Sequence, residues 1–304
     1  MQNGGIDVFL KTFAAAAMVA AGLTLPALGA GIVTYGLTAD SPALGHPIPY
    51  AVYKPFPFPP EGERWSVVYL LHGTSGKDGD WFTWGNLGPI LDQAIADGRI
   101  PPMVVVAPGF GDSWYEDSPD PGGFGLVETA LAEDLVAAVD KSLPTAKCRE
   151  GRAIGGLSMG GWGAVLEGLD HPEIFGSVIS FSGALHRPLT KDDPRRSWMP
   201  QLFFHVFGAP FEMDRFNAGN PFNHISRLNG AKQVPGFYFT IGDNDFPDLI
   251  EASALFHNRL RERLVDTTLR IGPGHHYWDT WQQSIIPALE WLAPRLDASC
   301  GRGR

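Results

Sequence analysis

Unbroken apolar runs, each followed by a helix-like stretch, constrain this chain more than any other feature. Residues 65–71 (Trp-Ser-Val-Val-Tyr-Leu-Leu) and 103–107 (Met-Val-Val-Val-Ala) show no alternation of polar and apolar side chains. A strand with one wet face alternates; a strand covered on both faces does not. Residues 152–157, 176–182, 237–241 and 268–271 read as further strands, with two early ones at 31–37 and 48–53 ahead of a proline-rich loop at 55–60. Helices are predicted at 87–95, 124–143 (ended by Pro144), 162–169, 249–264 and 281–296. Strands alternating with helices imply an α/β fold with a mostly parallel central sheet and helices on both faces. The segment of about 184–234 breaks the alternation and is rich in Pro, Phe, Trp and Arg, which marks a lid-like insertion rather than an inert connection.

The length of 304 residues suits one such domain, expected over residues 31–304. Ahead of it, Lys11 precedes an Ala-rich apolar core that ends in Pro26 and the small residues Ala27, Gly29 and Ala30. That pattern predicts a secretory signal peptide over residues 1–30, hence a secreted or periplasmic protein with no stable membrane span once the leader is removed. A formal charge of −10 argues against nucleic acid as a partner. Cys148 and Cys300 are the two cysteines. They flank the strand at 152–157 and the last helix, so a disulfide is geometrically possible, but sequence alone leaves paired and unpaired states open. Neither sits among histidines, and no cluster suggests a metal or an organic cofactor.

Function in an open parallel sheet collects at the carboxyl ends of the strands. The strand at 152–157 ends in Gly156-Leu-Ser158-Met-Gly160, the G-x-S-x-G spacing of a sharp strand-to-helix turn that exposes a serine hydroxyl. The strand at 237–241 ends in Gly242-Asp243-Asn-Asp245, and that at 268–271 ends in Gly272-Pro-Gly-His275-His276. A histidine there can take the serine proton, and an aspartate can fix its tautomer. Either aspartate could instead cap the following helix, and the residues leave both doublets open. The tetrahedral oxyanion needs two donors. Candidates are the amide of Met159 at the helix N-terminus and the amide of Thr74 in the loop His72–Gly76, with His72 itself a structural hydrogen-bonding residue. Trp81, Trp114, Tyr115, Phe246 and Trp278 sit where strand ends and loops should converge and are candidates to line a substrate pocket.

These motifs, with Tyr50-Ala-Val-Tyr-Lys-Pro55, Val68-Tyr-Leu-Leu-His-Gly73, Asp80-Trp81, residues 111–118 and His276-Tyr-Trp-Asp-Thr-Trp281, resemble the esterase D, feruloyl esterase and antigen-85 group of α/β-hydrolases. The resemblance runs from about Ile32 to Leu292. It implies the α/β-hydrolase fold and places the catalytic acid on Asp245. It also implies His276 as the base, since Trp278 and Trp281 stand two and five residues beyond it. His275 departs from the group's pattern, where that place usually holds a small or acidic residue.

The implied activity is serine carboxylic-ester hydrolysis through an acyl-enzyme, without cofactor or metal, on small-molecule or carbohydrate-linked acyl or feruloyl esters. An antigen-85-like acyltransferase would use the same three residues with a sugar acceptor. A non-catalytic carbohydrate- or surface-binding protein on a hydrolase fold is the alternative from another class, and an intact triad argues against it.

Overall fold

A computed structural model describes residues 29–300. The predicted leader falls almost wholly outside the described residues.

Eight strands form the central sheet: β1 (Ile32–Ala39), β2 (Ile48–Lys54), β3 (Ser66–Leu71), β4 (Met103–Pro108), β5 (Arg152–Leu157), β6 (Ser177–Phe181), β7 (Gly236–Gly242) and β8 (Thr267–Gly272). They lie in the order β1-β2-β4-β3-β5-β6-β7-β8. β2 pairs antiparallel with both β1 and β4, and every pairing from β4 to β8 is parallel. This is the mostly parallel sheet the apolar runs predict. Its one reversed strand follows from the short connection between β1 and β2, which leaves no room for a crossover helix.

Strand side chains alternate between two cores. Val67, Tyr69 and Leu71 of β3 enter one, Val68 and Leu70 the other. The first core is closed by the helical run 127–142 (α2), by α3 (Met159–Asp170) and by α4 (Pro247–Arg261). The second is closed by α1 (Leu87–Ala96) and α5 (Trp278–Leu292). Both faces are therefore covered, which is why β3, β4 and β5 are buried at every position.

Two predicted elements differ in detail. The helix expected over 124–143 starts at Val127 and changes to π-helical geometry over Ala130–Leu135 before resuming as Val136–Ser142. Hydrophobic period does not reveal such a local widening. The segment 184–234, expected as a lid-like insertion with no element assigned, carries short helices at Met199–Leu202, Met213–Ala218 and Pro221–His224. Phe203, Phe207 and Phe216 pack together there, and Phe203 and Phe216 reach Trp162 of α3. Cys148 and Cys300 are joined by a disulfide with Cα atoms 6.1 Å apart, tying the approach to β5 to the end of the chain. Among the described residues, no helix is long and apolar enough to cross a membrane.

Candidate active site

Ser158 joins β5 to α3 with φ 54° and ψ −116°, a conformation L-residues rarely adopt. The turn is tight because Gly156 and Gly160 lie against each other; a Cβ on Gly160 would also stand 2.6 Å from the carbonyl oxygen of His72. The Ser158 amide donates to Phe181 O at 3.0 Å, pinning the turn to β6.

The structure brings His276 to this serine, with Nε2 3.0 Å from Ser158 Oγ. Its Nδ1 lies 2.8 Å from Asp245 Oδ1. Asp245 follows β7 and His276 follows β8, so strand ends deliver all three groups to one rim of the sheet. The Asp245 side chain is fully buried. Burial alone would raise its pKa, but the hydrogen bond from His276, the nearby Ser182 hydroxyl, the imidazole charge and the Phe246 N–H together hold it below the usual carboxylate value. With the carboxylate accepting at Nδ1, Nε2 is left to accept the serine proton.

The other member of each doublet has a separate partner. His275 is exposed, with Nε2 3.8 Å from Asp279 Oδ2. Asp243 Oδ1 accepts from Asn244 Nδ2 at 2.8 Å and from the Gly274 amide at 3.2 Å, bracing one turn against the next.

Thr74 lies in the loop after β3, beside Ser158 in both cavities described below. Met159 opens α3, where the helix dipole favours negative charge. Neither the Thr74 nor the Met159 amide donates to another acceptor among the described residues. His72 is buried, with Nδ1 donating to Gly73 O at 2.8 Å and Nε2 accepting from the Phe110 amide at 3.2 Å. Burial lowers its pKa, and both nitrogens are occupied by backbone, which makes it a brace for the loop.

Two cavities meet at Ser158 and His276. One, of about 430 Å³, is lined by backbone-rich Gly73–Gly76 together with Asp80, Trp84, Tyr277 and Trp278. The other, of about 400 Å³, is lined mainly by apolar groups, among them Trp114, Trp198, Leu202, Phe246 and Leu249. Trp114, Phe246 and Trp278 therefore border the cavities at Ser158.

Trp81 and Tyr115 do not, and the expectation that they line a pocket is corrected. Trp81 is buried, donates from Nε1 to Leu71 O at 3.0 Å, and supports Trp278 edge-on. Tyr115 is buried against Gly163, with its hydroxyl donating to His72 O at 3.0 Å. Neither ring borders the cavities at Ser158: Trp81 packs under Trp278 and Tyr115 against α3.

His186, Trp198 and Leu202, all in the insertion, were missed, as were Trp84 and Tyr277. The composition of the insertion was the available signal. Burial pushes the His186 pKa down to about 4, so this cavity wall carries a neutral imidazole.

Strand order, the elbow at Ser158 and the flanking helices define an α/β-hydrolase. Within that class, the "Putative esterase" family model matches residues 41–292. The chain belongs to this esterase family.

It is 26% identical over 243 residues to an acetyl esterase of Caldicellulosiruptor saccharolyticus, covering 78% of this chain and 86% of that one. It is 36% identical over 134 residues to an endo-1,4-beta-xylanase/feruloyl esterase of Xylanibacter ruminicola, covering 44% of this chain. The chain spans 18% of that protein, and 53% of an uncharacterized relative from Corynebacterium glutamicum. A solved ferulic acid esterase superposes with a TM-score of 0.73 at 23% identity, covering 88% of this chain and 98% of its own.

Proposed function

We propose that this protein is a secreted serine esterase that works through an acyl-enzyme. Ser158 Oγ attacks the ester carbonyl while His276 Nε2 takes its proton and Asp245 steadies the imidazolium. The amides of Thr74 and Met159 hold the oxyanion. Collapse of the tetrahedral intermediate expels the alcohol, which leaves with the proton from His276. Water then attacks the acyl carbonyl while giving a proton to the same nitrogen, and collapse of the second intermediate returns that proton to Ser158 Oγ and releases the acid. One observation carries the reading: the unbroken line of short contacts from Ser158 Oγ through the His276 ring to the buried Asp245.

The apolar cavity suits the acyl group and the more polar one the alcohol. Exposed Trp84 and Tyr277 rings at the polar cavity can stack on a sugar, which supports a carbohydrate-linked acyl or feruloyl ester. Export is supported by the leader-like sequence over residues 1–30 and by the Cys148–Cys300 disulfide, a bond that persists in oxidising compartments. The domain proposed over 31–304 carries the insertion of about 184–234 as a wall of the acyl cavity.

The test is turnover of p-nitrophenyl acetate and of feruloyl esters, with fluorophosphonate labelling, by wild type and Ser158→Ala. We expect labelling and turnover in wild type and a loss on the order of 10⁴-fold or more in the variant, with folding unchanged. A Ser158→Ala protein that still turns over esters sinks the assignment. A wild type that neither labels nor hydrolyses points to a binding protein on this fold.

A further inference from the structure

Behind the Asp245 carboxylate stands a second buried polar unit that the acyl-enzyme cycle has not called on. Ser182 directly follows β6, the strand between those that deliver Ser158 and Asp245. It is completely buried and sits at φ 47°. Two backbone bonds fix this place: Phe181 O accepts from the Ser158 amide at 3.0 Å, and the Ser182 amide donates to Thr240 O at 2.7 Å. The residue pair 181–182 thus links the nucleophile strand to the acid strand.

The Ser182 hydroxyl has a defined direction. Trp281 Nε1 donates to Ser182 Oγ at 3.1 Å, so the oxygen is already an acceptor and its own proton must point elsewhere. Asp245 Oδ1 accepts from His276 and from the Phe246 amide, whereas Oδ2 is buried with no hydrogen-bond partner among the described residues. The Ser182 hydroxyl is set against that carboxylate and helps to lower its pKa. One strand end thus holds a buried acceptor without a hydrogen bond, Asp245 Oδ2, and the neighbouring strand end a buried hydroxyl whose proton has no assigned acceptor. Such contacts in free enzymes are often long and tighten as charge develops on the imidazole. Trp281 itself packs edge-on against the His276 ring at 5.2 Å, so one side chain touches both the base and the serine behind the acid.

We propose that Ser182 is a positioning residue for the reaction: held by Trp281, its hydroxyl donates to Asp245 Oδ2 and fixes the carboxylate in the plane that meets His276 Nδ1. The proposal rests on Ser158, His276 and Asp245 acting as the previous section reads them.

Removing this donor leaves the carboxylate charge to be balanced by the imidazolium alone. The base then holds its proton to higher pH. The other ionisable groups around the pair stay in place: Asp243 on the Gly274 amide, His275 beside Asp279, and Asp248 beside His186.

The experiment measures kcat, KM and the pH profile of kcat/KM for p-nitrophenyl acetate in wild type, Ser182→Ala and Trp281→Phe, with thermal melts as a folding control. For Ser182→Ala we expect kcat to fall about tenfold with KM little changed. The acid limb should move up by roughly half a pH unit or more. Trp281→Phe keeps a ring but loses the N–H, and should move the limb the same way by less. If Ser182→Ala does not fold, Trp281→Phe carries the test alone. An unmoved acid limb in the folded variants overturns the proposal, even where kcat drops, because a merely structural residue would lower activity at every pH alike. Ser158→Ala separates the two levels. If it is inactive while Ser182→Ala shows a wild-type profile, only the role of Ser182 fails; if it remains active, the triad fails first.

Discussion

The backbone of Ser158 occupies a region that costs on the order of 1–3 kcal/mol, and it stays there because its neighbours leave no alternative. Gly160 leaves no room on the side of β3: an added Cβ meets the carbonyls of both Leu71 and His72. Gly160→Ala should therefore push the turn outward, lowering kcat sharply and Tm by several degrees, readable by kinetics and a thermal melt. A variant as active and as stable as wild type would show that the turn has slack which these close contacts do not allow. The two histidines make the complementary case. His276→Ala should cost several orders of magnitude in kcat/KM, whereas His275→Ala, exposed and beside Asp279, should change it little. The reverse ranking, measured side by side on one ester, would move the base.

At the scale of elements, the strand ends supply the chemistry and the loops between them shape what it acts on. Trp198 of the insertion is half exposed on the wall of the apolar cavity, with its ring edge-on to His186. Trp198→Ala should raise KM for bulky aromatic acyl esters several-fold and leave acetyl esters nearly unaffected; equal effects on both would remove this wall from the acyl site. What the sequence could and could not reveal divides along the same line. Apolar runs betray buried strands, so the residues at their ends, Ser158, Asp245 and His276, were in view once the strands were placed. Which of His275 and His276 turned inward depended on the Gly274 turn, and only the family resemblance favoured the second. Trp81 and Tyr115 lie in the right loops but face the core, and ring type alone does not report facing. Trp198 and His186 sit where no helical or strand period exists, so composition could flag the segment without selecting the residues.

For the molecule as a whole, Glu116 and Glu167 form an acidic interior beneath α3. Burial comes first and neighbouring carboxylates second in holding Glu167 well above the usual range, and neither of its oxygens makes a hydrogen bond. Burial does the same to Glu116, opposed by the Trp162 N–H that donates to it at 2.9 Å. Acids whose pKa rises on folding favour the folded state fully below the unfolded value of about 4.3, and that contribution is lost as pH climbs through the folded value. Melting temperature should thus fall from pH 5 towards pH 8. Glu167→Gln should melt above wild type at pH 8, with the gap closing towards pH 4. A gap independent of pH would mean that shape rather than charge governs the site.

Two chambers that share one serine also imply an order of traffic. Under the proposed acyl-enzyme mechanism, the departing alcohol vacates its own room while the acyl group, bonded to Ser158, remains next door. Whatever enters next, water or a second alcohol, meets the same thermodynamic commitment already made. Added methanol should then raise the rate at which p-nitrophenol appears only when deacylation is slow. The split between acid and methyl ester should depend on the acyl group and not on which alcohol left first.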